Sequence, residues 1–347
     1  MRPLEELVRP NIWSLTPYSC ARDEYQGAEA TVFLDANESP YNTPINRYPD
    51  PLQRKVKDAL SRIYGLRPEC FFLGNGSDEA IDLVYRIFCR PGRDNVVAPD
   101  PTYGMYGVAA DINDVEYRRV PLAADFSLQA ERLLEVCNAQ TKAIFLCSPN
   151  NPTGNAFTAE AIEQVVARFQ GIVVVDEAYA DFSSQPSWVK RIVDYPNLIV
   201  LRTFSKAWAS AGVRLGLAFA RPDIIALFNK VKYPYNVSQL TQDYALEMLS
   251  RRYEVLEWVK RLLDERTKVV AALRLLPFYE KDYHSDANFV LVKLQGARRI
   301  YDYLIGQGIV VRDRSRVTLC DDCLRITIGL PAENSRLLAA LRQYNGK

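Results

Sequence analysis

A lysine between a hydroxyl and an alanine ends the run Leu201-Arg202-Thr203-Phe204-Ser205-Lys206-Ala207, and Arg214 follows eight residues later in GVRLG. A pocket that strips water from Lys206 lowers its pKa and leaves an amine able to attack a carbonyl and then to act as a base. A solvated loop lysine is the ordinary alternative, and the neighbouring hydroxyls of Thr203 and Ser205 argue against it. Asp176 ends a second apolar run, Ile172–Val175, and leads into Glu177-Ala178-Tyr179. A carboxylate at the end of a buried strand is costly to ionise unless a cation or hydrogen-bond donors face it. A magnesium ion or a protonated ring nitrogen would satisfy Asp176 equally, but no lysine-bearing phosphate loop accompanies it.

Three further turns carry polar groups. Ser148-Pro149-Asn150-Asn151-Pro152-Thr153-Gly154 is a rigid turn from which Asn151 can offer an amide donor. Pro101-Thr102-Tyr103-Gly104 presents Tyr103, whose ring either stacks on a planar group or packs in the core at a helix start. In Gly74-Asn75-Gly76-Ser77-Asp78-Glu79 the glycines permit a tight turn, and Ser77 is expected to cap the following helix. Free N–H groups at that helix start suit a phosphate, although a plain strand–helix turn needs the same glycines. Both nucleotide-binding glycine fingerprints are missing here, since Glu79 stands where the last glycine of GxGxxG belongs.

Composition narrows the chemistry. The 347 residues include a single histidine, His284, which reads as an ordinary surface residue. Triads based on histidine would have to run through it, and multi-histidine zinc sites are excluded. With 43 Lys+Arg against 42 Asp+Glu, a nucleic acid or an anionic membrane has no electrostatic support as a partner. The chain holds no run of about 18 apolar residues, and its opening stretch MRPLEELVRPNIW lacks the apolar segment of a signal peptide. Seven cysteines, at 20, 70, 89, 137, 147, 320 and 323, follow no framework spacing, and Cys320-Asp-Asp-Cys323 has no second pair. Isolated thiols in a cytoplasmic protein are expected.

The elements that position these residues follow from hydrophobic pattern. Compact β-rich runs at Cys70–Leu73, Asn95–Ala98, Ala143–Cys147, Ile172–Val175 and Leu198–Leu201 alternate with helical patterns such as TAEAIEQVVARF, with Thr158 as N-cap. Strands without polar alternation, separated by helices, predict a mostly parallel sheet covered on both faces. After residue 240 a long helical stretch carries Leu246, Leu249, Leu256, Val259 and Leu263 on one stripe, then strand runs Asn288–Leu294 and Leu324–Ile328. The expected organisation is a proline-punctuated arm with part of the small domain over 1–40, a large α/β domain over 41–240 and a smaller α+β domain over 241–347. Ligands of open parallel sheets bind beyond the carboxyl ends of the strands, where all five polar segments fall.

Taken in this order, the five segments resemble the fold-type-I pyridoxal-phosphate aminotransferases over nearly the whole chain. The strings LTPY, DANE, NRYP, GSDEAIDLVYRIFC, PTYGMY, IVVRD and CLRITIGLP are similar to the histidinol-phosphate aminotransferase family within that group. The resemblance implies pyridoxal 5'-phosphate as cofactor, bonded through Lys206, with Asp176 on its ring nitrogen, Tyr179 and Asn151 on its ring oxygen, and Tyr103 stacked on the ring. It places the phosphate against Ser77, Asp78, Thr203, Ser205 and Arg214, with Tyr48 reaching in from the other subunit of a homodimer. Arg325 and Arg312 correspond to the grip on the substrate anion, and Tyr18, Asn37 and Tyr235 to the lining of its pocket. The reaction implied is amino transfer from L-histidinol phosphate to 2-oxoglutarate. The stretch Arg314–Cys323 departs from the family pattern. Open alternatives are an aromatic amino-acid aminotransferase, a threonine-phosphate decarboxylase-like enzyme, and a non-catalytic cofactor-binding regulator.

Overall fold

Uninterrupted β-branched runs such as Ile172-Val173-Val174-Val175 give strands apolar on both sides, and such strands belong at the centre of a covered sheet. A computed structural model, which describes residues 2–19 and 32–345, places them there. The large sheet holds β1 (Phe71–Asn75), β2 (Asn95–Asp100), β3 (Glu116–Pro121), β4 (Thr141–Cys147), β5 (Ile172–Asp176), β6 (Leu198–Thr203) and β7 (Leu215–Phe219), in the order β1-β7-β6-β5-β4-β2-β3. Every residue of β4, β5 and β6 is buried. The pairings from β3 to β6 are parallel, whereas β7 runs antiparallel to both β1 and β6. Sequence pattern missed two of these strands. Edge strand β3 carries polar Glu116, Arg118 and Arg119, and β7 is diluted by Gly216.

Helix Ser77–Phe88 buries Ile81, Val84, Ile87 and Phe88 on one side, and helix Ala159–Arg168 starts at Thr158, whose hydroxyl accepts from Ala161 N. Ser77 does not cap its helix. Gly76, at φ +75°, occupies the cap position and no side chain replaces it, so the first N–H groups of this helix keep no side-chain partner. Near the N-terminus, helices Leu4–Leu7 and Pro10–Trp13 bury Leu7, Val8 and Ile12 in the core of the large sheet's outer face.

The second unit is a four-stranded antiparallel sheet of β8 (Tyr279–Asp282), β9 (Phe289–Leu294), β10 (Arg312–Asp313) and β11 (Cys323–Thr327), ordered β10-β11-β9-β8. Helices Ala297–Gly306 and Pro331–Gln343 cover it around Val290, Val292, Ile300, Leu324 and Leu341. The expected long helix is two helices, Gln239–Ser250 and Arg252–Leu273, broken at Arg251. The second helix buries Val255, Val259, Val269 and Leu273, and Leu256 falls off that side and is exposed. Among the described residues no helix is long and apolar enough to cross a membrane. The six described cysteines are free, and Cys20 lies outside the described residues. His284 sits on the surface, its Nε2 3.2 Å from Asp286.

Candidate active site

Strand ends and their turns surround a cavity of about 610 Å³. The large sheet contributes Ser77, Asp78, Tyr103, Asn151, Asp176, Tyr179, Thr203, Ser205, Lys206 and Arg214, and the small unit contributes Arg312, Arg314 and Arg325. The cavity therefore unites twelve of the residues singled out from sequence and adds Arg314. Tyr48, Tyr18, Asn37 and Tyr235 are absent from its lining in the single chain. Tyr48 and Tyr235 instead stack on each other, with ring centroids 4.3 Å apart and planes 12° from parallel.

Asp176 closes β5 at the floor of the cavity, 2 % exposed. Its Oδ2 accepts from the Tyr106 hydroxyl at 2.8 Å, and Oδ1 accepts from Ala178 N at 3.1 Å. Burial pushes its carboxyl up to about 6 despite these two donors. The next residue, Glu177, is equally buried but faces Arg202 at 3.1 Å and accepts from Trp188 N and the Ser187 hydroxyl. Two consecutive buried acids thus differ in kind: Glu177 has a cation, and no described residue forms an ion pair with Asp176.

Lys206 follows β6, its ammonium nitrogen 5.5 Å from the centre of the Tyr179 ring. Burial lowers its pKa, and the charge of Arg325 lowers it further. An amine held this way loses its proton more readily than a surface lysine, as a nucleophile and base requires. Tyr179 packs edge-on against Phe289 at 5.2 Å, and burial raises its pKa.

Glycine is required where the polar turn meets β7. A Cβ on Gly216 would stand 2.1 Å from Gly76 C and Ser77 N. Gly76 N donates to Arg214 O at 2.7 Å, and Arg214 itself adopts φ +57°. The Arg214 guanidinium thereby reaches the uncapped helix start and lies 3.5 Å from Asp78, whose other oxygen accepts from the Tyr103 hydroxyl at 3.1 Å. Opposite, Asn150 ties its turn together through bonds with Thr102, Pro101 O and Thr153. That brace presents Asn151, whose Oδ1 accepts from Arg325 Nη1 at 2.5 Å.

Sequence reasoning missed Tyr106 and Arg314. Nothing linear links Tyr106 to an acid 70 positions away. Arg314 carried a usable signal, since residues two apart on an extended segment share a side, and Arg312 was already singled out.

A family model for class I and II aminotransferases matches residues 23–341. A histidinol-phosphate aminotransferase of Bacteroides fragilis is 58 % identical over 344 residues, covering 99 % of this chain and 100 % of that one. The corresponding enzyme of Bacteroides thetaiotaomicron is 56 % identical over the full length of both chains. The chain belongs to the histidinol-phosphate aminotransferase family, within the class I and II aminotransferases. Among solved structures, the Sinorhizobium meliloti histidinol-phosphate aminotransferase in complex with pyridoxal-5'-phosphate matches this aminotransferase with a TM-score of 0.78 at 26 % identity, covering 86 % of this chain and 83 % of that one. This similarity accounts for the fold-type-I architecture of the large sheet.

Proposed function

We propose that this aminotransferase moves the amino group of L-histidinol phosphate to 2-oxoglutarate, yielding imidazole-acetol phosphate and L-glutamate in histidine biosynthesis, with pyridoxal 5'-phosphate as cofactor. The observation that carries the reading is the pairing, in one cavity, of a buried carboxylate, which no described residue meets in an ion pair, with a half-buried lysine beside Tyr179.

The donor set fits the cofactor. Asp176 lacks the positive partner that a protonated pyridine nitrogen would be, and the uncapped start of helix Ser77–Phe88 beside Arg214, Thr203 and Ser205 suits a phosphate. Tyr103 would cover the ring, while Tyr179 and Asn151 would meet its oxygen. When bound, pyridoxal phosphate supplies a sink for the electrons left as a substrate C–H bond breaks. Lys206 would hold the cofactor covalently, give way to the substrate amine, and carry the proton lost by the amine-bearing carbon. Asp176 would hold a positive charge on the ring nitrogen, and Tyr106 holds that carboxylate in place. Arg325, oriented by Asn151, grips the substrate anion with Arg312 close by, since the two are register partners across β10 and β11.

Both the amino donor and the 2-oxo acid acceptor present an anion to Arg325, so Arg325→Ala should depress both half-reactions by about 100-fold or more, the cost of losing a charge-assisted grip. Rapid-mixing kinetics with histidinol phosphate and with 2-oxoglutarate check this; a loss confined to one would show that another group holds the other substrate.

The same reading makes the active unit a homodimer in which Tyr48 serves the partner's cofactor phosphate. Supporting it, the segment before the large sheet exposes Tyr18, Val32, Leu34 and Tyr41 by 73, 73, 92 and 80 %, an apolar surface that a second copy would cover. Mixing Tyr48→Ala with Lys206→Ala protein should restore about a quarter of wild-type activity, because half of randomly paired symmetric dimers regain one intact site. No recovery after subunit exchange would place Tyr48 in its own subunit's site. The reaction is placed in the cytoplasm, in keeping with six described cysteines that are all unpaired.

Glutamate formation from 2-oxoglutarate, compared across amino donors, tests the substrate. Histidinol phosphate should exceed phenylalanine in kcat/KM; parity would favour an aromatic amino-acid aminotransferase.

A further inference from the structure

Three guanidinium groups, Arg312, Arg314 and Arg325, converge on one end of the cavity. Arg325 has a neutral partner in Asn151 and lies 5.2 Å from the Phe289 ring centre. Arg314 makes no side-chain hydrogen bond or ion pair with a described residue, and its Nε is buried without a partner. The adjacent acid is committed elsewhere: Asp313 Oδ1 accepts from Ser315 N at 2.9 Å and Oδ2 lies 3.4 Å from Arg298. Burial and the charge of Arg312 lower the pKa of Arg314, and burial together with the charge of Arg314 lowers that of Arg325. Three cations gathered without an acid oppose one another, and an anion of more than one charge relieves them best.

The backbone has no need of an arginine at 314. Its N–H donates to Cys323 O at 2.8 Å, a bond open to any residue but proline. The side chain is what the site uses.

We propose that Arg314 sets the preference of this anion site for a phosphate monoester over a carboxylate. A carboxylate carries one charge on two oxygens and is served by Arg325 with Arg312. A phosphate monoester carries about 1.5 to 2 charges near neutral pH on three oxygens, so a third guanidinium gains a partner only with that ligand. The inference rests on the substrate reading above and assigns its selectivity to a residue in the stretch that departs from the family pattern.

The test uses Arg314→Gln and Arg314→Lys holoenzymes in half-reactions with histidinol phosphate and with glutamate. In Arg314→Gln the ratio of half-saturating concentrations, histidinol phosphate over glutamate, should rise about 10- to 100-fold, the value of one charge-assisted hydrogen bond. Limiting rates should fall far less, and Arg314→Lys should recover part of the ratio. Calorimetric titration of the holoenzyme with inorganic phosphate and with acetate gives a readout free of turnover: phosphate affinity should drop in Arg314→Gln by a similar factor, and acetate affinity should not. An unchanged ratio, or equal weakening of both anions, overturns the inference. Should wild-type enzyme react with glutamate and ignore histidinol phosphate, the substrate reading fails instead, and the phosphate titration still decides the role of Arg314.

Discussion

Lys206→Ala protein should retain less than about one ten-thousandth of wild-type transamination, because proton transfer by a positioned base alone contributes about 10²- to 10⁴-fold and, in the proposed reading, Lys206 also holds the cofactor. The substitution removes the amine whose pKa burial and Arg325 hold low. It leaves the helix start at Ser77 and the Arg214 guanidinium intact, so cofactor should still bind through its phosphate, more weakly. Steady-state glutamate formation measures the loss. Borohydride treatment of wild-type protein followed by peptide mapping should find the cofactor attached to Lys206. Attachment at another lysine, or normal turnover by Lys206→Ala, would falsify this role.

Asp176→Asn separates catalysis from stability. In the proposed reading, replacing the carboxylate with an amide removes the charge that would keep the ring nitrogen protonated, and kcat should fall by about 10³-fold, the range found for losing one preorganised electrostatic partner. Ligand-free stability should move the opposite way. The carboxyl of Asp176 is raised from an ordinary 3.8 to about 6 by burial. Between those values the folded state binds more protons than the unfolded state, so stability contributed by this group is present below the lower value and is lost as pH rises through the higher one. A rise of that size costs the ligand-free protein on the order of 2 to 3 kcal/mol at neutral pH. Asparagine has no charge to desolvate; its Oδ1 can keep the bond from Ala178 N while its Nδ2 donates to the Tyr106 hydroxyl oxygen. Urea unfolding of both ligand-free proteins at pH 4.5 and 7.5 checks this. The variant should be the more stable at pH 7.5, with the difference shrinking at pH 4.5. A variant that is less stable at pH 7.5 contradicts the view that Asp176 is kept as a charge awaiting a cation. A site that is costly when empty is one arranged for its ligand.

Much of this arrangement was legible in the chain because its chemistry follows its strands. Ile172–Val175 and Leu198–Leu201 read as buried parallel strands, and the groups just beyond them, Asp176 and Lys206, face one cavity. Polar turns at Ser77, Tyr103 and Asn151 could be placed by the same rule. What sequence pattern could not supply depends on contacts between distant segments. Tyr106 meets Asp176 because its ring stacks on Phe145 of β4, and its tyrosine reads linearly as core. Expecting Ser77 as a cap was reasonable by residue type, yet Gly216 lets β7 approach so closely that Gly76 takes that position. A helical pattern continuing through Arg251 hid a break, since both halves keep apolar residues at helical spacing. Tyr235, Tyr18 and Asn37, expected to line the substrate pocket, stand outside the cavity of one chain, as does Tyr48, which the sequence resemblance assigns to the other subunit's site.

The most direct measurement is a half-reaction screen of the purified holoenzyme. The cofactor absorbance is followed after mixing with histidinol phosphate, phenylalanine, tyrosine or phosphothreonine in the absence of an oxo acid. Histidinol phosphate should bleach the yellow band fastest, with no carbon dioxide released, and 2-oxoglutarate should restore it. Silence toward histidinol phosphate, with phosphothreonine consumed and carbon dioxide evolved, would contradict the assignment.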